Sequence, residues 1–514
     1  MPRKRRSGKA LIRKSLFLVS AFFLLPFSLF AQFDFNTTCA EAYRSVLSLR
    51  FTEARELISS EKSKHPLNPI PVYLENYIDF LNVFIGEEPA AFEKFTRSEE
   101  AREAILAKAN QDSPYARYCL GNMRLQAAIC HIKFGEYKAA SLDISHAYGT
   151  LKDNVRLFPG FLPQDAGLGM IHILAGILPD NYKWVLWVLG LDGNVKQGMD
   201  EISKLAGYSG SDETWRMLRM ESMFYMAFLD ATLGKDAGQA LQILQRFEKQ
   251  GNAFPDPANP IWIFIKASIL QKSGKTDDAI ASLSGYHPGV SDYYFCYLDY
   301  LTGLNKLNRM DPDADLYFIR FLKNFRGQNY IKSAYQKLAW TFLLKGNTTR
   351  YEEYIAKALS RGAMFVDADR QANREAKEKE IPNVVLLKSR LYCDGGYTAR
   401  ALQLLLSGDA RNSFHTPRDL LEYTYRLGRI YQQAGNTSEA LRYFATTIQD
   451  GAEQPWYFAE SAALQSALIC EQNKDYSRAG VFFRRCLSMK NTEYKNSLDQ
   501  KARLGLKRIK PYLP

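Results

Sequence analysis

Small and large apolar side chains recur at helical spacing through the last third of the chain, and the same pattern occurs three times at an interval of 39 residues. The hexads GYTARA, GNTSEA and KDYSRA begin at Gly396, Gly435 and Lys474. Each hexad ends in an alanine, and a large apolar residue follows four positions later. Repetition at a fixed interval predicts stacked copies of one supersecondary unit.

Each copy has the pattern of a helical hairpin. In the second copy, Gly428 is small enough to let a neighbouring helix come close, and Tyr431 lies on the same helix face because residues i and i+3 share a side. Gly435 tolerates the left-handed conformation in which many helices end. A hairpin of this kind leaves one apolar face bare, so we expect consecutive hairpins to stack and bury it.

The second copy resembles the tetratricopeptide repeat (TPR), whose pattern is an early Leu-Gly, a tyrosine, an alanine and a phenylalanine. Leu427-Gly428, Tyr431, Ala440 and Phe444 match that pattern residue for residue. The interval of 39 residues is longer than the usual 34. The resemblance implies an all-α fold, a TPR-like superhelix (solenoid) of α-α helical hairpins, and it does not indicate a ligand.

Weaker copies lie upstream, as GEYKAA from Gly135 and GKTDDA from Gly274, whereas the helix predicted to end at Gly346 shows only the first half of a repeat. Residues 367–381 mix both charges and predict a solvated helix. Whether residues 33–110 are repeats or a cap stays open. The predicted division is a signal peptide (1–31), degenerate helical repeats with a hydrophobic central segment (32–215), irregular helical repeats (216–381) and three regular repeats (382–514).

The hydrophobic central segment, residues 167–206, resembles the central part of the inclusion body clearance family, whose animal members are the tetratricopeptide repeat 39 proteins. The resemblance implies a helical scaffold; the family acts inside eukaryotic cells, so we do not carry over its biological role. A helix buried between two layers would explain Trp184 and Trp187 equally well. The matching residues are Gly167, Gly169, Leu178-Pro179, Leu189-Gly190, Gly193 and Gly198.

Seven basic residues and no acid occupy the first 14 positions, and a nearly unbroken apolar run follows from Ser15 to Ala31. This pattern predicts a signal peptide cleaved before Gln32, with a retained anchor as the alternative. Removing it lowers the formal net charge from +12 to +5, which argues against a nucleic-acid partner. We expect an exported protein, periplasmic or associated with the outer membrane of a Gram-negative bacterium, without a membrane span.

Residue patterns for catalysis or for cofactor and metal binding are missing from the sequence. The six histidines stand apart from one another, among them His131 at a repeat position and His172 in an apolar helix. The seven cysteines contain no C-x-x-C pair, so we favour buried free thiols, with one or two disulfides as the alternative. We therefore predict a protein that is not an enzyme and binds neither cofactor nor metal.

The first helix of each hairpin is expected to line the concave face, which gives a candidate binding site for a protein or peptide. Arg390 and Arg429 hold equivalent positions one repeat apart and would offer planar donors to a carboxylate. Solvated arginines paired with nearby acids are the alternative. The predicted site residues are Arg390, Tyr425, Arg429, Gln433 and Glu471.

A second function remains possible at an aromatic cluster between Tyr293 and Tyr300, which could stack on sugars. The alternative function is then a glycan-binding helical-repeat protein of a surface uptake system, although aromatic packing between hairpins would produce the same sequence. The identity of the partner and the oligomeric state are not determined by the sequence.

Overall fold

The computed structural model describes residues 32–177, 191, 193–233, 237–249, 256–378, 380–490 and 493–512. The predicted signal peptide lies outside these residues, as do Trp184 and Trp187 of the central segment. Within the described residues the structure is helical and contains no strand. No helix in this part of the chain is long and apolar enough to cross a membrane.

The helices alternate with short turns along the whole described chain. The first ten are α1 Thr37–Leu47, α2 Phe51–Lys64, α3 Ile70–Gly86, α4 Pro89–Lys108, α5 Pro114–Lys133, α6 Tyr137–Leu157, α7 Gln164–Ile177, α8 Val195–Ala206, α9 Glu213–Leu233 and α10 Ala237–Glu248. The next eight are α11 Pro260–Lys272, α12 Thr276–Ser284, α13 Tyr297–Arg309, α14 Ala314–Asn324, α15 Ile331–Leu344, α16 Thr348–Ser360, α17 Asp367–Glu378 and α18 Val384–Asp394. The last seven are α19 Thr398–Leu406, α20 Gly408–Arg411, α21 Pro417–Gln433, α22 Thr437–Gly451, α23 Phe458–Gln472, α24 Tyr476–Ser488 and α25 Lys495–Ile509.

The three regular repeats are confirmed as the hairpins α18/α19, α21/α22 and α23/α24. Their repeated alanines, with Leu405, Phe444 and Phe483, are fully buried. A Cβ placed on Gly428 would lie 2.5 Å from the Phe444 ring, so the small residue is required for the close approach of α21 and α22. The chain is an all-α protein of TPR-like helical hairpins.

The turns between paired helices use the left-handed backbone region, as the hairpin pattern predicts. Gly435 has φ of +80° and Gly396 has +85°. Gly135 and Gly274 repeat this conformation in the weaker upstream hairpins α5/α6 and α11/α12. The third regular repeat has Lys474 there with φ of +61°, a conformation in which a side chain is strained.

The turn at Gly346 belongs to a complete hairpin, so the prediction of a half repeat is wrong. Helix α16 supplies the second half, and Tyr351 is buried where the regular repeats have alanine. A tyrosine at the alanine position hides the repeat from a sequence pattern. The large ring still fills the space between helices.

Residues 367–381 do not form a solvated helix, which corrects a second expectation. Helix α17 packs on α15 and α16 and buries one face. The Asp369 carboxylate accepts the backbone N–H groups of Tyr330 and Ser333 at the start of α15, at 2.6 and 2.9 Å. Asp369 and Glu375 are thus partners of α15, which a count of charges alone does not reveal.

Hydrogen bonds also join helices that are far apart in the sequence. Glu87 accepts hydrogen bonds from the backbone and side-chain N–H groups of Asn329, at 3.0 and 2.9 Å. On α9, Glu221 accepts the hydroxyls of Tyr43 and Tyr77. These bonds fix the N-terminal hairpins against later ones. The division of the chain into segments at residues 215 and 381 remains a prediction.

Candidate functional site

The first helices of successive hairpins surround a cavity of about 570 Å³. Helices α11, α13, α15, α18, α21 and α23 each contribute to its wall, together with the start of α17. We call it the cationic cavity, because the charged residues that line it are Lys272, Lys337, Arg390, Arg429 and a single acid, Asp394. Polar amide side chains make up much of the remaining wall.

Three of the five predicted site residues line this cavity: Arg390, Arg429 and Gln433. Arg390 lies near Asp394 on its own helix, with 3.7 Å between Arg390 Nε and Asp394 Oδ2. At that distance the ion pair is loose. The Gln433 amide oxygen accepts the Cys393 thiol hydrogen at 2.9 Å and so stays at the rim.

Tyr425 and Glu471, the other two predicted residues, do not line the cationic cavity. Tyr425 is buried, and its hydroxyl shares a hydrogen bond with the Ser461 hydroxyl at 2.9 Å between α21 and α23. Glu471 receives two hydrogen bonds from Arg508 of α25, at 2.7 and 2.6 Å. Tyr425 therefore supports the wall from behind, while Glu471 ties the last helix to the repeats.

Residues that the sequence did not single out complete the site. Lys337 Nζ lies 3.7 Å from the centroid of the Trp340 ring, and Arg390 Cζ lies 5.0 Å from it. Its indole N–H donates to Glu375 Oε1 at 2.5 Å. Trp340 stands six residues before Gly346, as Arg390 and Arg429 stand six before Gly396 and Gly435, so the repeat register could have identified it.

Burial changes the charge state available at the site. Lys337 is only 9% exposed, and burial together with the Arg390 guanidinium lowers its pKa to about 7. Burial also raises the pKa of the Glu375 carboxyl. Near neutral pH Lys337 is therefore partly deprotonated, unlike a solvated lysine.

A second cavity of about 500 Å³ shares Trp340 and Arg390 with the first. Two of its four arginines are closely paired with acids. Arg426 donates to Glu422, and Arg418 contacts Glu378 and Glu380. The cationic cavity is the better candidate for an anionic group, because one acid lines it, whereas several acids line the second cavity.

The aromatic cluster from Tyr293 to Tyr300 mostly packs between hairpins. Tyr300 is buried against Phe321 and Tyr330, with ring centroids 5.5 and 5.2 Å away, and Tyr293 packs on Phe51 at 5.1 Å. Tyr293 and Tyr294 also border a cavity of about 500 Å³. Tyr300 also lines the cationic cavity, but its burial leaves little of the ring exposed.

The two histidines considered in the sequence have structural partners. His131 packs on Phe92 with ring centroids 5.3 Å apart, and its Nδ1 lies 2.8 Å from Glu136 Oε2. His172 Nδ1 lies 2.6 Å from Glu201 Oε2 across α7 and α8. In the part of the chain that the structure describes, no group of three or more acidic, histidine or cysteine side chains is placed to hold a metal ion.

The seven cysteines are free thiols, and all except Cys296 are buried. Burial raises the pKa of the Cys39 thiol to about 12, helped by the nearby Glu61 carboxylate. Thiols with raised pKa values are poor nucleophiles. They act as small apolar groups in the hairpin interfaces, as the sequence favoured.

Comparisons with known proteins give only distant likenesses to solved structures. No protein-family model and no curated protein sequence matches the chain. The TPR domain of P58(IPK) is 12% identical, with 82% of this chain and 98% of that chain covered and a TM-score of 0.22. Yeast Tom70 is 12% identical, with 82% and 95% covered and a TM-score of 0.23.

A monomeric mutant of IFIT1 with Gppp-AAAA is 11% identical, with 94% of this chain and 89% of that chain covered and a TM-score of 0.30. TM-scores this low do not establish a shared overall arrangement. The assignment of TPR-like hairpins therefore rests on the residues at the repeat positions of this chain.

Proposed function

We propose that the chain is an exported, non-catalytic helical-repeat scaffold that binds a protein or peptide partner in the cationic cavity. The cavity supports this proposal, because it is lined by the first helices of successive hairpins and has the volume of a specific ligand site. Helical-repeat proteins commonly bind partners on the surface that these helices share. The leader, residues 1–31, supports export to the periplasm or the outer membrane of a Gram-negative bacterium.

The composition of the cavity favours a polypeptide. Arginine is among the residues that contribute most to binding energy in protein interfaces, and Arg390 and Arg429 line the cavity. Amide side chains of Gln432, Gln433 and Gln465 line the same wall and can pair with a peptide backbone. The resemblance of residues 167–206 to the inclusion body clearance family is consistent with a scaffold.

The glycan-binding alternative has weaker support. It depends on rings that are free to stack on sugars, and most of the Tyr293–Tyr300 cluster packs inside the protein. Tyr293 and Tyr294 border one cavity and Tyr300 lines the cationic cavity, but Tyr300 is only 3% exposed. A saccharide array run with the purified protein tests this alternative directly.

The proposal is tested by filling the cavity without removing a charge. Ala368 lines the cavity at the start of α17, and Ala445 on α22 is exposed. We expect Ala368→Trp to abolish capture of a discrete partner from envelope extract, read by mass spectrometry, while Ala445→Trp retains it. A partner captured equally by both variants would refute binding in this cavity.

A further inference from the structure

The charged side chains that line the cationic cavity are mostly basic. Four basic side chains line it against one carboxylate, that of Asp394. This carboxylate lies 3.7 Å from Arg390 Nε, and Lys337 Nζ donates to the neutral Gln336 amide oxygen at 2.7 Å. Charges held close together in a partly dry cavity attract an anion strongly.

Two hydrogen-bond donors in the wall have no acceptor. Asn308 lines the cavity and is 1% exposed, yet its Nδ2 has no partner among the described residues. The same holds for Arg429 Nε, which is buried in the same wall. Buried donors are nearly always paired, so each of these two calls for an acceptor, which a ligand in the cavity would supply.

An acceptor in the same wall is also without a partner, and this distinguishes a peptide from a simple anion. Gln432 lines the cavity, and its buried Oε1 has no hydrogen-bond donor within the described structure, while its Nε2 donates to Gln465 at 3.0 Å. A peptide supplies both acceptor oxygens and N–H donors. Inorganic phosphate near neutral pH supplies mainly acceptors.

The positive groups are positioned before a ligand arrives. Lys337 and Arg390 lie against Trp340, and the Trp340 indole is fixed by Glu375 on α17. Side chains held in this way lose little freedom on binding, which increases affinity. The cavity is therefore preorganised for a negatively charged group near Trp340.

We propose that the cationic cavity binds an acidic peptide segment through a side-chain carboxylate, which reaches Arg390 and Arg429 while Gln432 accepts a peptide N–H. This inference rests on the proposed function and specifies the chemistry of its partner. Asn308 donates to the same carboxylate. The chain thus recognises acidic side chains within a segment, and a free C-terminal carboxylate is not needed.

The test uses fluorescence anisotropy with a labelled hexaglutamate peptide blocked at both ends, and hexaglutamine as its neutral match. We expect the purified protein to bind hexaglutamate at least about 10-fold more tightly than hexaglutamine. Arg390→Gln and Arg429→Gln should each weaken binding by about 10- to 100-fold, the range for a charge-assisted hydrogen bond. Arg442→Gln, at an exposed arginine on α22, is the matched control and should bind normally.

Equal affinity for the two peptides would overturn the inference, and so would an equal loss with Arg442→Gln. Displacement of the peptide by inorganic phosphate at the same concentration as unlabelled hexaglutamate would overturn the assignment to a peptide. Circular dichroism and urea unfolding confirm that each variant folds, and Arg390→Lys provides a milder change.

Failure of this inference is distinguishable from failure of the proposed function. Partner capture that survives an Arg390→Gln/Arg429→Gln double variant but is lost with Ala368→Trp would overturn the carboxylate assignment and leave the scaffold proposal standing. Capture that is unaffected by Ala368→Trp would instead refute the scaffold proposal.

Discussion

The turn at Gly396 lies against the turn at Gly274, and this contact provides a sharp test of the superhelix. A Cβ on Gly396 would stand 2.6 Å from the Gly274 carbonyl carbon and 2.9 Å from its Cα. Carbon atoms in ordinary contact are about 3.5–4.0 Å apart. Gly396→Ala would therefore force the turns of α11/α12 and α18/α19 to separate by about 1 Å.

Gly435 offers the matched control, because it holds the same repeat position with nearly the same φ. A Cβ on Gly435 meets nothing within 4 Å. Gly435→Ala should therefore lower the free energy of unfolding by about 1 kcal/mol, the strain of an alanine in the left-handed region. Gly396→Ala should cost that amount plus about 1–3 kcal/mol for overpacking two backbones.

The assay is urea unfolding followed by tryptophan fluorescence, with hydrogen exchange to locate the loss, since repeat arrays do not always unfold as one unit. We expect the midpoint of Gly396→Ala to fall well below that of Gly435→Ala. Faster exchange should appear in both contacting turns. Equal midpoints for the two variants would refute the contact between the turns.

Other predictions follow from single residues. Lys474→Gly should raise the free energy of unfolding by about 0.5–1 kcal/mol, because glycine relieves a left-handed lysine at some cost in unfolded-chain entropy; Lys474→Ala should bring no gain in the urea midpoint. The pKa of Lys337 lies near 7, and the charged groups around it are Arg390, Glu375, Asp394 and Asp369. Because only the ammonium attracts a carboxylate, affinity for blocked hexaglutamate should fall up to about 10-fold between pH 6 and 8. Lys337→Met should flatten that pH profile, and an unchanged profile would contradict the role of Lys337. N-terminal sequencing of the exported protein should begin at Gln32, and a retained leader would contradict cleavage.

The sequence predicted the regular hairpins well, because their key positions are local. Gly428 allows the two helices of its hairpin to approach closely, Ala440 lies where they cross, and Phe444 fills the gap beside them. The repeat register also predicted that Arg390 and Arg429 line one surface. Helical periodicity and the 39-residue interval were sufficient to predict the hairpins and this shared surface.

The 39-residue interval does not predict the rest of the site. Asn308 and Lys337 belong to hairpins outside the 39-residue interval, and Lys337 falls into register only when positions are counted back from the turn at Gly346. Glu471 was assigned to the surface because the pattern contains no partner for it, yet Arg508 comes from α25, after the last repeat. Contacts made by irregular elements must be seen in the folded chain.

Lys337 is a buried basic residue at a position where the stability of the repeat does not require one. Counting nine residues back from each turn glycine places Leu387 and Arg426 at the positions equivalent to Lys337 in the next two hairpins. Leu387 is buried, so the repeat accepts an apolar side chain there. A buried lysine costs stability that an apolar residue would not. A group that destabilises the fold, and that the fold does not require, is typical of a binding site.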